Sequence, residues 1–132
     1  MILIGLVGGQ PGDRKEIAER LERFGGCRLT TWGGTDSRSD ATRVRDLSFV
    51  LRETGSNKAL GGIVAYNIMS MAEAQEIRRA GGVLWHVMGM PSASIPMERA
   101  DPKVTHFQGG CRHYLDAIDA LQEHLLGITA AH

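Results

Sequence analysis

Cysteine, net charge, aromatic rings and long apolar runs are all scarce in this chain, and each scarcity removes a class of function. The two cysteines, Cys27 and Cys111, lie far apart in sequence. They form no disulfide framework and read as free thiols of a cytoplasmic protein. Neither has a base partner at triad-like spacing, so nucleophilic catalysis is unsupported. The 15 basic residues balance the 15 acidic ones, so no global field draws in nucleic acid or an anionic membrane. Aromatic residues make up 5% of the sequence, too few for a platform on which single-stranded nucleic acid would stack. The group Arg38, Arg43, Arg45 and Arg52 reads as a solvated face or, with Arg14, as a patch for an acidic partner or nucleic acid. No apolar run approaches the ~20 residues of a bilayer-spanning helix. The apolar run at the N-terminus has no basic segment ahead of it and passes straight into a glycine turn, so no signal peptide is expected.

What remains is ordinary for a globular protein: 132 residues, 42% hydrophobic and 23% charged. That is one domain, residues 1–132, able to bury a real core. Its 17 glycines collect in pairs at 8–9, 25–26, 33–34, 61–62, 81–82 and 109–110, between segments of regular pattern. Residues 1–7 read as a buried strand, and a helix pattern follows the glycine turn, with Ile17, Leu21 and Phe24 on one face and Gly25-Gly26 as its stop. A strand over 27–32 and a polar loop over 33–40 follow. A helix over 41–53 carries Val44, Leu47, Val50 and Leu51, with Asp40 as its N-cap. A strand over 62–67 leads to a capping box, Ser70-Met71-Ala72-Glu73, which opens a helix ending at Gly81-Gly82. Strands over 83–87 and 104–107 and a helix over 114–126 complete the chain. Strands alternating with helices predict an α/β fold of three layers, with a mainly parallel sheet covered on both faces.

The first 21 residues carry the clearest chemical signal. A strand, a glycine-rich turn and a helix N-terminus together make a phosphate cradle, because backbone N–H groups and the helix dipole converge on one anion. The phosphate-binding candidates are therefore Gly8, Gly9, Gln10, Pro11, Gly12, Asp13, Arg14 and Lys15. Set against GxxxxGK[ST] from Gly8 onward, the chain has Asp13 where the second glycine belongs, Arg14 for the lysine, and Lys15 and Glu16 for the hydroxyl. Asp13 brings negative charge to where the anion would sit. At an effective dielectric of about 20, like charges ~4 Å apart repel by roughly 4 kcal/mol, more than the ~1.4 kcal/mol that weakens binding tenfold. The competing reading makes Asp13 the N-cap of the helix with Glu16 at N3, the carboxylate satisfying the N–H groups that a phosphate would have used.

Two stretches, LIGLVGGQPGDRKEIAERL and GGIVAYNIMSMAEAQEIRRAGGVLWHV, together resemble the phage deoxynucleoside monophosphate kinases, a branch of the P-loop nucleotide kinases. The resemblance implies a P-loop nucleotide-kinase-like fold, with ATP and Mg²⁺ as cofactors of an active member. It also implies chemistry that this chain lacks. Asn67 stands where the family has an acidic residue, Met69 where it has Arg, and Gly109 where it has Glu in the motif begun by His106. Lysine, hydroxyl and acidic residue act as a unit in phosphoryl transfer. Their joint loss predicts a degenerate, non-catalytic protein, a pseudoenzyme without cofactor, that binds a partner protein: a host protein, in the host cytoplasm, if the phage origin holds.

Met69, Met71, Met88, Met90 and Met97 cluster in the second half, as core filler or as an adaptable patch for such a partner, with Met88 and Met90 at its centre. The alternatives are a deoxynucleoside monophosphate kinase, with Arg14 clamping phosphate and Lys15 with Arg78 or Arg79 assisting, and a nucleotide sensor or sponge without turnover. His106, Cys111 and His113 fit no usual zinc spacing, so no metal is expected.

Overall fold

The computed structural model describes residues 1–34 and 39–130. Arg38 and the centre of the polar loop expected over 33–40 lie outside the described residues. The elements run β1 (Ile2–Val7), α1 (Pro11–Phe24), β2 (Leu29–Trp32), α2 (Asp40–Ser56), β3 (Gly62–Ala65), α3 (Met71–Arg79), β4 (Val83–Val87), β5 (Lys103–Thr105), β6 (Leu115–Asp116) and α4 (Ala117–Ala130). All six strands join one parallel sheet in the order β2-β3-β1-β4-β5-β6.

The near-continuous apolar runs of β1 and β4 suit strands covered on both faces. Successive side chains alternate between the faces. From β1, Ile4 and Leu6 join Trp85 of β4, Ile17 and Leu21 of α1, and Leu121 of α4 in one buried cluster. Leu3 and Val7 join Leu84, Leu47 and Leu51 of α2, and Ile77 of α3 in the other. The result is three layers: α1 with α4, the sheet, then α2 with α3. From β1 the chain reaches the β2 edge by way of α1, then returns to β3 and crosses to β4 by way of α2 and α3 on the opposite face. Reversing direction while changing face is what one crossover hand demands.

The helix ends follow local chemistry. Ser70 caps α3 by accepting from the Glu73 N–H at 3.2 Å. The helix closes in a Schellman arrangement, with Gly82 N–H to Ile77 O and Gly81 N–H to Arg78 O, and Gly81 in the left-handed region at φ 88°.

Several expected boundaries move. The N-cap of α1 is Gln10, whose side chain makes no capping bond. Asp13 is not the cap: Pro11, with its fixed φ and absent N–H, is already suited to the first helical position and starts the helix three residues earlier. Ser39 rather than Asp40 caps α2, accepting from Thr42 N–H. The last helix begins at Ala117, because residues 115–116 first pair with β5. Among the described residues, no helix is long and apolar enough to cross a membrane.

Candidate functional site

In an open parallel sheet, ligands sit beyond the carboxyl ends of the strands, where neighbouring connections leave in opposite directions. Here that point lies between β1, whose connection leads to the β2 edge, and β4, whose connection leads to β5. Two stretches face each other across it: the glycine turn after β1 and the loop over 88–97 after β4. Between them lies a cavity of about 280 Å³ lined by Gly8, Arg14, Ile68, Met69, Met90 and Ser92 among others.

The glycine turn is shaped by its own chain. Gly8 and Gly9 have φ of 74° and 64°, which glycine adopts without steric cost. A Cβ on Gly9 would stand 2.8 Å from Val87 Cγ1 and 2.9 Å from the Met88 carbonyl oxygen. Gly9 N–H donates to Met90 O at 2.9 Å. The turn is thus glycine because the loop after β4 crosses tightly over it.

Arg14 fills the space beneath. It is 3% exposed. Its guanidinium donates to Gly8 O at 2.8 Å, Gly9 O at 3.1 Å, Tyr66 O at 3.0 Å and Asn67 Oδ1 at 2.9 Å, and lies 3.6 Å from Met69 Sδ. A phosphate cradle turns N–H groups inward. In this turn the two glycine carbonyls point inward instead, onto a buried cation. Asn67 and Met69, the positions that depart from the kinase pattern, are both partners of Arg14. The network continues as Arg43 donates to Asn67 O at 2.8 Å and to buried Glu73 Oε1 at 2.9 Å. Glu73 Oε1 also accepts from Met69 N–H and Ser70 Oγ.

Of the other sequence candidates, Gln10, Pro11, Gly12 and Lys15 are exposed. The loop was expected to be filled by Asp13 acting as a cap; it is filled by Arg14. Asp13 instead faces His106, its Oδ2 lying 3.6 Å from Nδ1. Met90 is 77% exposed and Met69, Met71 and Met97 between 41% and 49%, so these four are not core filler. Met88 is half-buried. Both cysteines are free thiols.

Sequence reasoning missed a second feature of this crevice. His86, on β4, is 4% exposed and lines a neighbouring cavity of about 130 Å³ with Val7, Ser92, Met97 and Tyr114. Its Nε2 lies 2.9 Å from Asp101 Oδ2. Asp101 also receives Arg78 at both oxygens, at 3.1 and 2.9 Å, and the Glu98 N–H at 3.0 Å. Burial alone would raise the Asp101 pKa. The Arg78 guanidinium, the Glu98 amide and His86 more than offset this and hold the carboxyl below its usual range. A carboxylate only accepts, so Nε2 carries a proton. Nδ1 makes no hydrogen bond among the described residues. The signal that could have found this pair is a lone histidine in the otherwise apolar strand VLWHV.

Compared with known proteins, the chain matches no family model, no curated protein and no solved structure.

Proposed function

We propose that this chain is a binding module on a nucleotide-kinase-like scaffold, one that transfers no phosphate and takes a protein partner at the methionine-rimmed crevice between β1 and β4. The observation that carries this reading is the placement of Arg14. Phosphoryl transfer needs a cation that meets the moving phosphoryl group, together with Mg²⁺ and its ligands. Arg14 stands at the lysine position, but its donors are bound to Gly8, Gly9, Tyr66 and Asn67. Turning it toward a nucleotide would strip part-buried carbonyls of their partners, at up to about 1 kcal/mol each. The rim speaks for a partner: Met69, Met90 and Met97 border the two cavities, and their flexible thioethers re-pack against varied apolar surfaces. That the partner is a host protein rests on the resemblance to phage kinases alone.

Two experiments test this. In a coupled assay with ATP, Mg²⁺ and each deoxynucleoside monophosphate, the protein and Arg14→Lys should both stay at background. Turnover near the ~1–100 s⁻¹ of kinases would overturn the reading. A photo-crosslinking side chain at position 90 should trap one protein whose complex re-forms from purified components, while the same group at exposed Lys58 should not. Met90→Glu with Met97→Glu should abolish that complex without loss of fold, since both side chains are exposed. Equal trapping at both positions would argue against the crevice.

A further inference from the structure

Asp13 and Glu16 stand one turn apart on α1, and His106, just past β5, comes to meet them. One oxygen from each carboxylate and one ring nitrogen lie within 4.8 Å of one another. The favourable field of a helix N-terminus accounts for acids at these positions, but it gives no reason for an imidazole against them.

Two observations point beyond an ion pair. The 3.6 Å between Asp13 Oδ2 and His106 Nδ1 exceeds the ~2.7–2.9 Å of a charge-assisted hydrogen bond. It is close to the roughly 3–3.5 Å that separates two donors bound ~2.1 Å from one ion. His106 Nδ1 is also shielded from water and has no hydrogen-bond partner among the described residues. A buried polar atom without a partner costs stability unless something occupies it. No Lys or Arg pairs with Asp13 or Glu16 among the described residues, so the two negative charges on one helix face await a cation from elsewhere.

We propose that Asp13, Glu16 and His106 bind a divalent transition-metal ion. Two carboxylates and an imidazole suit Zn²⁺ or Mn²⁺, whereas Ca²⁺ gathers six to eight oxygens and Mg²⁺ prefers oxygen donors and water. Three protein ligands leave coordination positions open, as at sites that take water or a further ligand rather than closed structural ones. Those positions face a cavity of about 430 Å³ that Glu16 and His106 share with Arg20 and Arg23. A ligand entering there would share the cavity with Glu19 and with the guanidinium of Arg23. The site is separate from the Arg14 network and stands or falls independently of partner binding. It would also tie the start of α1 to the segment between β5 and β6.

The test is calorimetric titration of the chelator-stripped protein with Zn²⁺, and separately with Mn²⁺, in excess Mg²⁺. The expected result is one ion per chain and a rise in Tm with metal. His106→Ala, Asp13→Asn and Glu16→Gln should each weaken binding about tenfold or more, and His113→Ala should leave it unchanged. Glu16 is exposed, so its variant reports on the site even if the other two disturb the fold. Co²⁺ in place of Zn²⁺ should give visible absorption that His106→Ala removes. The proposal fails if no ion binds, if the variants bind as well as the parent, if His113→Ala alone removes binding, or if Mg²⁺ competes at equal concentration.

Discussion

Gly9 and Gly12 look alike in sequence, and both belong to the phosphate-cradle pattern, yet the fold uses them differently. Gly9 lies under the crossing loop, where a methyl group would collide with Val87 and the Met88 carbonyl, and its φ is 64°. Gly12 is exposed at the second position of α1, and an added Cβ there would meet nothing within 4 Å. Gly12→Ala should therefore stabilise the protein by about 0.4–1 kcal/mol by restricting the unfolded chain. Gly9→Ala should destabilise it by more than that. Denaturant midpoints at constant slope measure both. If Gly12→Ala destabilised the fold instead, a close approach at the mouth of the turn would have gone unseen. The glycine cluster thus carried two messages in one pattern, and only the coordinates separate the packing requirement from the chemical one.

Among the elements, two carboxylates, Asp101 and Asp116, tie neighbouring ends together. Asp101 joins the loop before β5 to His86 on β4 and Arg78 on α3. Asp116, at the end of β6, accepts from Gly109 N–H, Ile118 N–H and Arg20. For each, burial raises the pKa and these donors together lower it by more, so the net shift is downward from 3.8. A depressed folded pKa means that the unfolded chain takes up protons first. The stability these groups supply is then complete above about pH 3.8 and is lost as pH falls through their folded values. Acid unfolding followed by circular dichroism should show this limb. Asp101→Asn should flatten it and lower stability at neutral pH by about 1–3 kcal/mol; an unchanged acid limb would remove Asp101 from the account. The elements themselves were largely legible in the sequence. The apolar runs of β1 and β4, the Ser70–Glu73 box and the Gly81-Gly82 stop are local signals that tertiary structure did not override. The start of α1 was misread because Asp13 is a better capping residue than Gln10, while Pro11 decides the matter through its fixed φ. β6 was missed because two residues carry no periodicity. The site was less legible still: Arg14 meets Tyr66 and Asn67, and His86 meets Asp101, only after the sheet has assembled.

For the molecule as a whole, the strand order sets a schedule. β1 pairs with β3 and β4, at Ile2↔Gly62 and Ile4↔Val83, and both partners are made long after it. At the ~5–20 residues per second of synthesis, β1 would wait roughly 3–15 s for its neighbours. Through that interval α1 can cover one face of β1, but the strand lacks one or both of its sheet neighbours and the glycine turn has no β4 loop to cross it. Chains halted before residue 83 should accordingly be cut readily by protease within 1–10, and those halted after residue 126 should resist. Early protection would mean that β1 finds shelter before β4 exists. The centre of the finished sheet is, on this schedule, the longest-exposed part of the growing one, and the choice between folding and capture by a chaperone falls within that interval.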